Sequence, residues 1–129
     1  MAEKEAIRTE AAPAPFEGAP YSQAVRAGGL VFVSGQVALA PEGHELVGEA
    51  VAEQTEQVFS NLRAILEAAG SGLDRVVKTT VYLRSLDDFH AMNDVYRRHV
   101  GDVPPARATV EVSALPSGAL VEIEAIALG

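Results

Sequence analysis

Pro104-Pro105-Ala106-Arg107-Ala108-Thr109-Val110-Glu111-Val112-Ser113-Ala114-Leu115-Pro116-Ser117-Gly118-Ala119-Leu120-Val121-Glu122-Ile123-Glu124-Ala125-Ile126-Ala127-Leu128 alternates short or polar side chains with apolar ones in two runs. Pro116-Ser117-Gly118 punctuates them, so the pattern predicts a hairpin-like pair of strands joined by a turn. Successive side chains point to opposite faces of a strand. Arg107, Thr109, Glu111 and Ser113 therefore share one face, and Glu122 and Glu124 share one face of the second run, opposite Val121, Ile123 and Ala125. If both strands lie in one sheet, a fixed guanidinium can stand near a fixed carboxylate. That pairing suits capture of a small carboxylic acid and activation of a water beside it.

Upstream, Tyr21 to Ala27 reads as a strand and Gly28-Gly29 as a tight turn. Leu30-Val31-Phe32-Val33 reads as a buried strand ending at Ser34-Gly35. Val51, Thr55, Val58, Leu62, Ile65 and Ala69 fall at three- and four-residue spacing, which predicts a helix from about Glu49 to Ala69. Phe59 and Leu66 flank its apolar stripe. Glu53, Glu56, Gln57, Asn61, Arg63 and Glu67 take its wet side, and Gly70 suits the position after its end. Val76 to Leu83 is a strand. Ser85 to Asp88 carries the S-x-x-D start of a second helix reaching about Val100, with Phe89, Met92 and Tyr96 inward. Residues 1–18, rich in Ala, Glu and Pro, read as a flexible arm before a single domain over residues 19–129.

The order strand, strand, helix, strand, helix, strand, strand is met by one mixed sheet with both helices on one face, an α+β sandwich. The other face then needs a cover, and a second copy of the chain in a cyclic homo-oligomer supplies one.

Composition narrows the chemistry. The 129 residues are enough for one domain that removes roughly two-thirds of its unfolded surface from water. Cysteine is absent, so thiolate nucleophiles, thiolate metal sites and disulfides are excluded. The formal charge of −8, with Lys and Arg scattered, disfavours nucleic acid. The first nine residues lack a signal-like apolar core and no run reaches membrane-spanning length, so cytoplasm is the expected address.

Each candidate also has a plainer reading. Arg107 is either a solvated arginine at a strand start or a planar fork for a carboxylate. Glu122 and Glu124 are either acids displayed on an edge strand, or one of them is desolvated for proton transfer. His44, His90 and His99 have no metal-ligand spacing, so no metal is expected. Asp87 and Asp88 suit a helix start. Ser22, Ser34 and Ser113 lack a nucleophile elbow. Asn93 is a buried amide or a site contact.

Several separated segments match one family. They are Ala19-Pro20-Tyr21-Ser22-Gln23-Ala24-Val25, Val33-Ser34-Gly35-Gln36, Gln54-Thr55-Glu56-Gln57 with Asn61-Leu62, Val77 to Leu83, Met92 to Tyr96, and Pro105 to Ala127. In this order the chain resembles the Rid family of reactive intermediate deaminases, also called the YjgF family. The resemblance implies a chorismate-mutase-like α+β fold, related to the ferredoxin-like one, in homotrimers with sheets inward and ligand clefts between subunits. It implies hydrolysis of 2-imino acids (2-iminobutanoate, 2-iminopropanoate), which escape from pyridoxal-phosphate-dependent dehydratases, to 2-keto acids and ammonia, without metal or cofactor. On that reading Arg107 binds the carboxylate and Glu122 holds the attacking water. Tyr21, Ser34, Gly35, Asn93 and Thr109 line the cleft. Ala19 stands where the family usually has glycine, and Thr109 where the archetype has cysteine. A non-catalytic keto-acid-binding trimer and an endoribonuclease or translation inhibitor stay open as alternatives.

Overall fold

A computed structural model describes residues 3–129. Its strands are β1 (Glu5–Ile7), β2 (Ala24–Ala27), β3 (Leu30–Gln36), β4 (Val76–Leu83), β5 (Ala106–Glu111) and β6 (Val121–Leu128). Its α-helices are α1 (Val51–Ala68) and α2 (Phe89–Tyr96). All six strands form one mixed sheet in the order β1-β2-β3-β6-β4-β5. β5 runs parallel to β4, and every other neighbouring pair is antiparallel. Gly28 and Gly29 both have positive φ and close the two-residue β2–β3 turn, which suits the right-handed twist of a hairpin.

The two final strands are not a hairpin. β4 lies between β5 and β6, bonded to each. The cause is topological: a helix carries the chain from β3 to β4 and another from β4 to β5, so these strands run in one direction. The slot between β3 and β4 requires an antiparallel strand, and β6 fills it.

Alternation along β6 then sets the layers. Val121, Ile123, Ala125 and Ala127 are buried against α1, whose Val58, Phe59, Leu62, Ile65 and Leu66 complete the core with Met92 and Tyr96 of α2. The reverse face carries Phe32, Tyr82, Val110, Glu122, Glu124 and Ile126, and no element among the described residues covers it. Phe32 within the sheet and Val110 on its edge strand are each 41% exposed, large apolar groups left open on this face.

Three expectations need correction. The flexible arm over residues 1–18 is docked where it is described: Glu5–Ile7 pairs with β2, and Ile7 and Ala12 are buried. The Gln23 side chain, 3% exposed, holds it by accepting from the Thr9 amide and donating to the carbonyls of Thr9, Ala12 and Pro13. The second strand starts at Ala24 rather than Tyr21, because residues 16–21 form a turn with Ala19 N–H donating to the Phe16 carbonyl. Asn61, assigned to the wet side of α1, is buried and donates to the carbonyls of Val37 and Leu39. Those carbonyls lie just past β3, where the Val37 carbonyl also accepts from the Leu39 N–H, and the Asn61 amide gives each a side-chain donor.

Candidate functional site

The sheet divides the seven candidate residues into two groups on opposite faces. Arg107 pairs with Thr79 across β4–β5, and Thr79 pairs with Ala125 across β4–β6. Thr79 and Ala125 are buried beneath the helices, so Arg107 belongs to the helix-covered face. Glu122 pairs with Tyr82, which pairs with Val110, in a row on the open face. The expectation of a guanidinium beside a carboxylate in one chain therefore fails. Arg107 and Glu122 share a sheet, but β4 separates their strands and they point to opposite sides of it.

The first group gathers around Arg107 at the sheet edge. Its Nη1 donates to Asn93 Oδ1 at 2.7 Å. Its guanidinium carbon sits 4.7 Å from the Tyr96 ring centroid and 5.5 Å from that of Phe89. The Tyr96 phenol is itself held at 2.7 Å from Thr79 Oγ1. A hydrogen bond from a charged group contributes about 1.5–3 kcal/mol and each cation–π contact about 0.5–2 kcal/mol. Those forces orient the fork, yet among the described residues no carboxylate lies within ion-pair distance of it. Asn93, Tyr96, Arg97, Val100, Pro104, Pro105 and Arg107 enclose a cleft of about 220 Å³. Thr109 is next on the same face of β5, and its Oγ1 is buried with no hydrogen-bond partner among the described residues.

The second group gathers around Glu122. Its carboxylate lies on the bare backbone of Gly35, where an added methyl would stand 2.7 Å from Oε2. A larger residue at position 35 would push the Glu122 carboxylate off this backbone. Ser34 is tied down by donating from Oγ to the Ser22 carbonyl at 2.6 Å. Tyr21 and Gly35 line one small hollow with Phe16 and Gln36. Burial, and then the neighbouring Glu124 charge, push the Glu122 carboxyl above its ordinary value. That moves it towards the range useful for exchanging protons near neutrality.

Sequence reading placed Phe89 and Tyr96 in the core but missed them as the platform for Arg107. It also missed the link from the Tyr82 phenol to Glu124 Oε2, at 3.2 Å. A tyrosine in a strand otherwise made of Val, Thr, Leu and one Lys was the available signal. His99 is neither a ligand nor free: it stacks on Phe59 and binds Glu56, clasping α1 to the end of α2. Among the described residues no cluster of three or more His, Cys, Asp or Glu is placed to hold a metal ion. No described helix is long and apolar enough to cross a membrane.

Residues 9–129 match the family described as endoribonuclease L-PSP, the family of the Rid and YjgF resemblance. The chain belongs to this family. A RutC family protein of Pyrococcus abyssi is 52% identical over 124 residues, 96% of each chain. The 2-iminobutanoate/2-iminopropanoate deaminase of Mus musculus is 45% identical over 125 residues, 97% of this chain and 91% of the relative. The crystal structure of E. coli TdcF with bound serine has a TM-score of 0.89 at 35% identity, covering 97% of this chain and 98% of that one. The Rid family thus includes proteins named for imine deamination, and its fold is the sheet and helix layer found here.

Proposed function

We propose that this Rid-family chain is a 2-imino acid deaminase whose clefts form between copies of a homotrimer. The observation that carries the reading is the pair of half-sites on opposite faces. Each copy offers an oriented guanidinium without an anion at one place and a carboxylate of raised proton affinity at another. Two copies meeting at a seam can join them, and the exposed apolar face of the sheet gives the copies a reason to associate. The names of relatives support the chemistry, and the serine bound to E. coli TdcF is a small amino acid with the carboxylate that Arg107 would grip.

In the proposed reaction Arg107 binds the substrate carboxylate through two parallel hydrogen bonds. The Ser34-Gly35 backbone and Tyr21 shape the wall facing the side chain. Water attacks the carbon of the protonated imine, forming a C–O bond as the C=N π pair moves to nitrogen. Glu122 takes a proton from that water and returns it to nitrogen. The C–N bond then breaks as the hydroxyl oxygen closes the C=O bond and gives its proton to Glu122, releasing ammonia and leaving the keto acid. The electrophile is already activated by protonation, so these steps need neither metal nor covalent intermediate. Proton handling of this kind contributes about 10²–10⁴-fold. The substrates are imino acids released in the cytoplasm by pyridoxal-phosphate-dependent dehydratases.

The test is a coupled assay in which a threonine dehydratase generates the imine and its decay is followed with and without this protein. Arg107→Ala and Glu122→Gln should each be inactive alone. Mixed as equal subunits and reassembled, they should regain about a quarter of the clefts, each with Arg107 from one copy and Glu122 from its neighbour. No rescue on mixing would sink the shared cleft. A keto-acid sensor would bind ligand through Arg107 without turnover. A ribonuclease would bind RNA at low salt, against a net charge of −8.

A further inference from the structure

The open face holds a second acid that the proposed reaction does not use. β6 presents Glu122 and Glu124 side by side, two residues and about 7 Å apart along the strand. β4 places Tyr82 across from Glu122 and Thr80 across from Glu124. The Tyr82 phenol reaches diagonally and donates to Glu124 Oε2. Glu124 therefore has a donor that fixes its position, whereas among the described residues no side chain donates to Glu122 on its glycine floor.

Within one chain few charges face this pair. β3 contributes Phe32 and Gly35 and β5 contributes Ala108 and Val110 to the face, none of them charged. Tyr21 lies beyond Gly35 and is neutral. Lys78 shares the hollow of Glu124 at its far side, without an ion pair to it. Arg84 follows β4 and spends its guanidinium on the Val112 carbonyl. Within one chain Glu124 is the charge that acts on Glu122, and in the proposed shared cleft the neighbouring copy's Arg107 would act against it, equally in wild type and in Glu124 variants.

We propose that Glu124, steadied by Tyr82, is a positioning residue that acts through Glu122, supplying the negative charge that keeps this base able to take and return a proton. The proposal rests on the deaminase reading above. An ionised Glu124 makes ionisation of Glu122 harder, and the raised proton affinity of Glu122 agrees with it. Without that charge Glu122 would ionise at lower pH, becoming a weaker base that takes the proton from water less readily.

The experiment is the pH profile of kcat/KM for imine hydrolysis, with imine supply kept in excess so that the coupling enzyme never limits. Glu124→Gln should move the acidic limb to lower pH by roughly half a unit to one unit. Glu124→Asp, which keeps the charge, should restore it. Tyr82→Phe should move it the same way by less, and carries the test if Glu124→Gln does not fold. Titration of the Glu122 carboxyl carbon by NMR makes the same comparison without turnover. A Glu124→Gln profile that superimposes on the wild type, or a loss equal at every pH with an unmoved Glu122 titration, overturns the proposal. A wild-type protein with no imine hydrolysis overturns the deaminase reading instead, and the NMR titration still reports on the pair.

Discussion

At the scale of single residues, the site is defined by groups left unsatisfied. Arg107 is oriented by Asn93 and Tyr96 but unpaired, so Arg107→Lys should lose most imine hydrolysis while circular dichroism stays unchanged. A lysine keeps the charge without the planar fork, and losing one partner of a desolvated charge pair costs on the order of 2–5 kcal/mol. The Thr109 hydroxyl is buried without a partner. Thr109→Val should therefore raise stability by about 1 kcal/mol in denaturant titration, with a higher KM if substrate is what completes that hydroxyl. Glu122 has its proton affinity raised on folding, so its stabilising contribution is complete at acid pH and is lost as pH rises through its folded value. Glu122→Gln should raise the melting temperature at neutral pH and lose that advantage towards pH values where wild-type Glu122 is protonated. Alternation marked Arg107 and the pair Glu122 and Glu124 as candidates, and only the family resemblance chose Glu122 between the two acids. The placement of Arg107 and Glu122 on opposite faces was not legible, because alternation fixes sides within one strand and says nothing of the relation between two.

At the scale of elements, long periodic segments were legible and short irregular ones were not. The apolar stripe of α1 and the β-branched run of β4 appear where spacing put them. The last two strands also appear, but the alternation of β6 records only that one face is buried. That β4 sits between β5 and β6 depends on the two helical crossovers, a long-range fact with no local signature. The N-terminal segment was misread because its composition is that of a linker, while its anchor is one distant side chain. Gln23→Ala removes that anchor and leaves buried carbonyls unpaired. It should cost about 1–3 kcal/mol and speed amide exchange over residues 5–13, read by hydrogen exchange with mass spectrometry.

At the scale of the whole molecule, one face of the sheet lacks a cover within the chain. If copies of the chain supply it, Phe32→Glu places a charge in that contact. Light scattering should then show a smaller species, and imine hydrolysis should fall with it although Phe32 belongs to neither half-site. A trimer that keeps its size despite this substitution would mean that the face is covered otherwise or not at all. The need for such a cover was legible from counting layers; the division of labour between faces emerged only with the strand order. That division bears on dosage. On the proposed shared cleft, a solitary newly made chain would hold both halves of the site but no working centre, so near the dissociation threshold output should climb more steeply than protein concentration. Dilution would silence it before any chain unfolds.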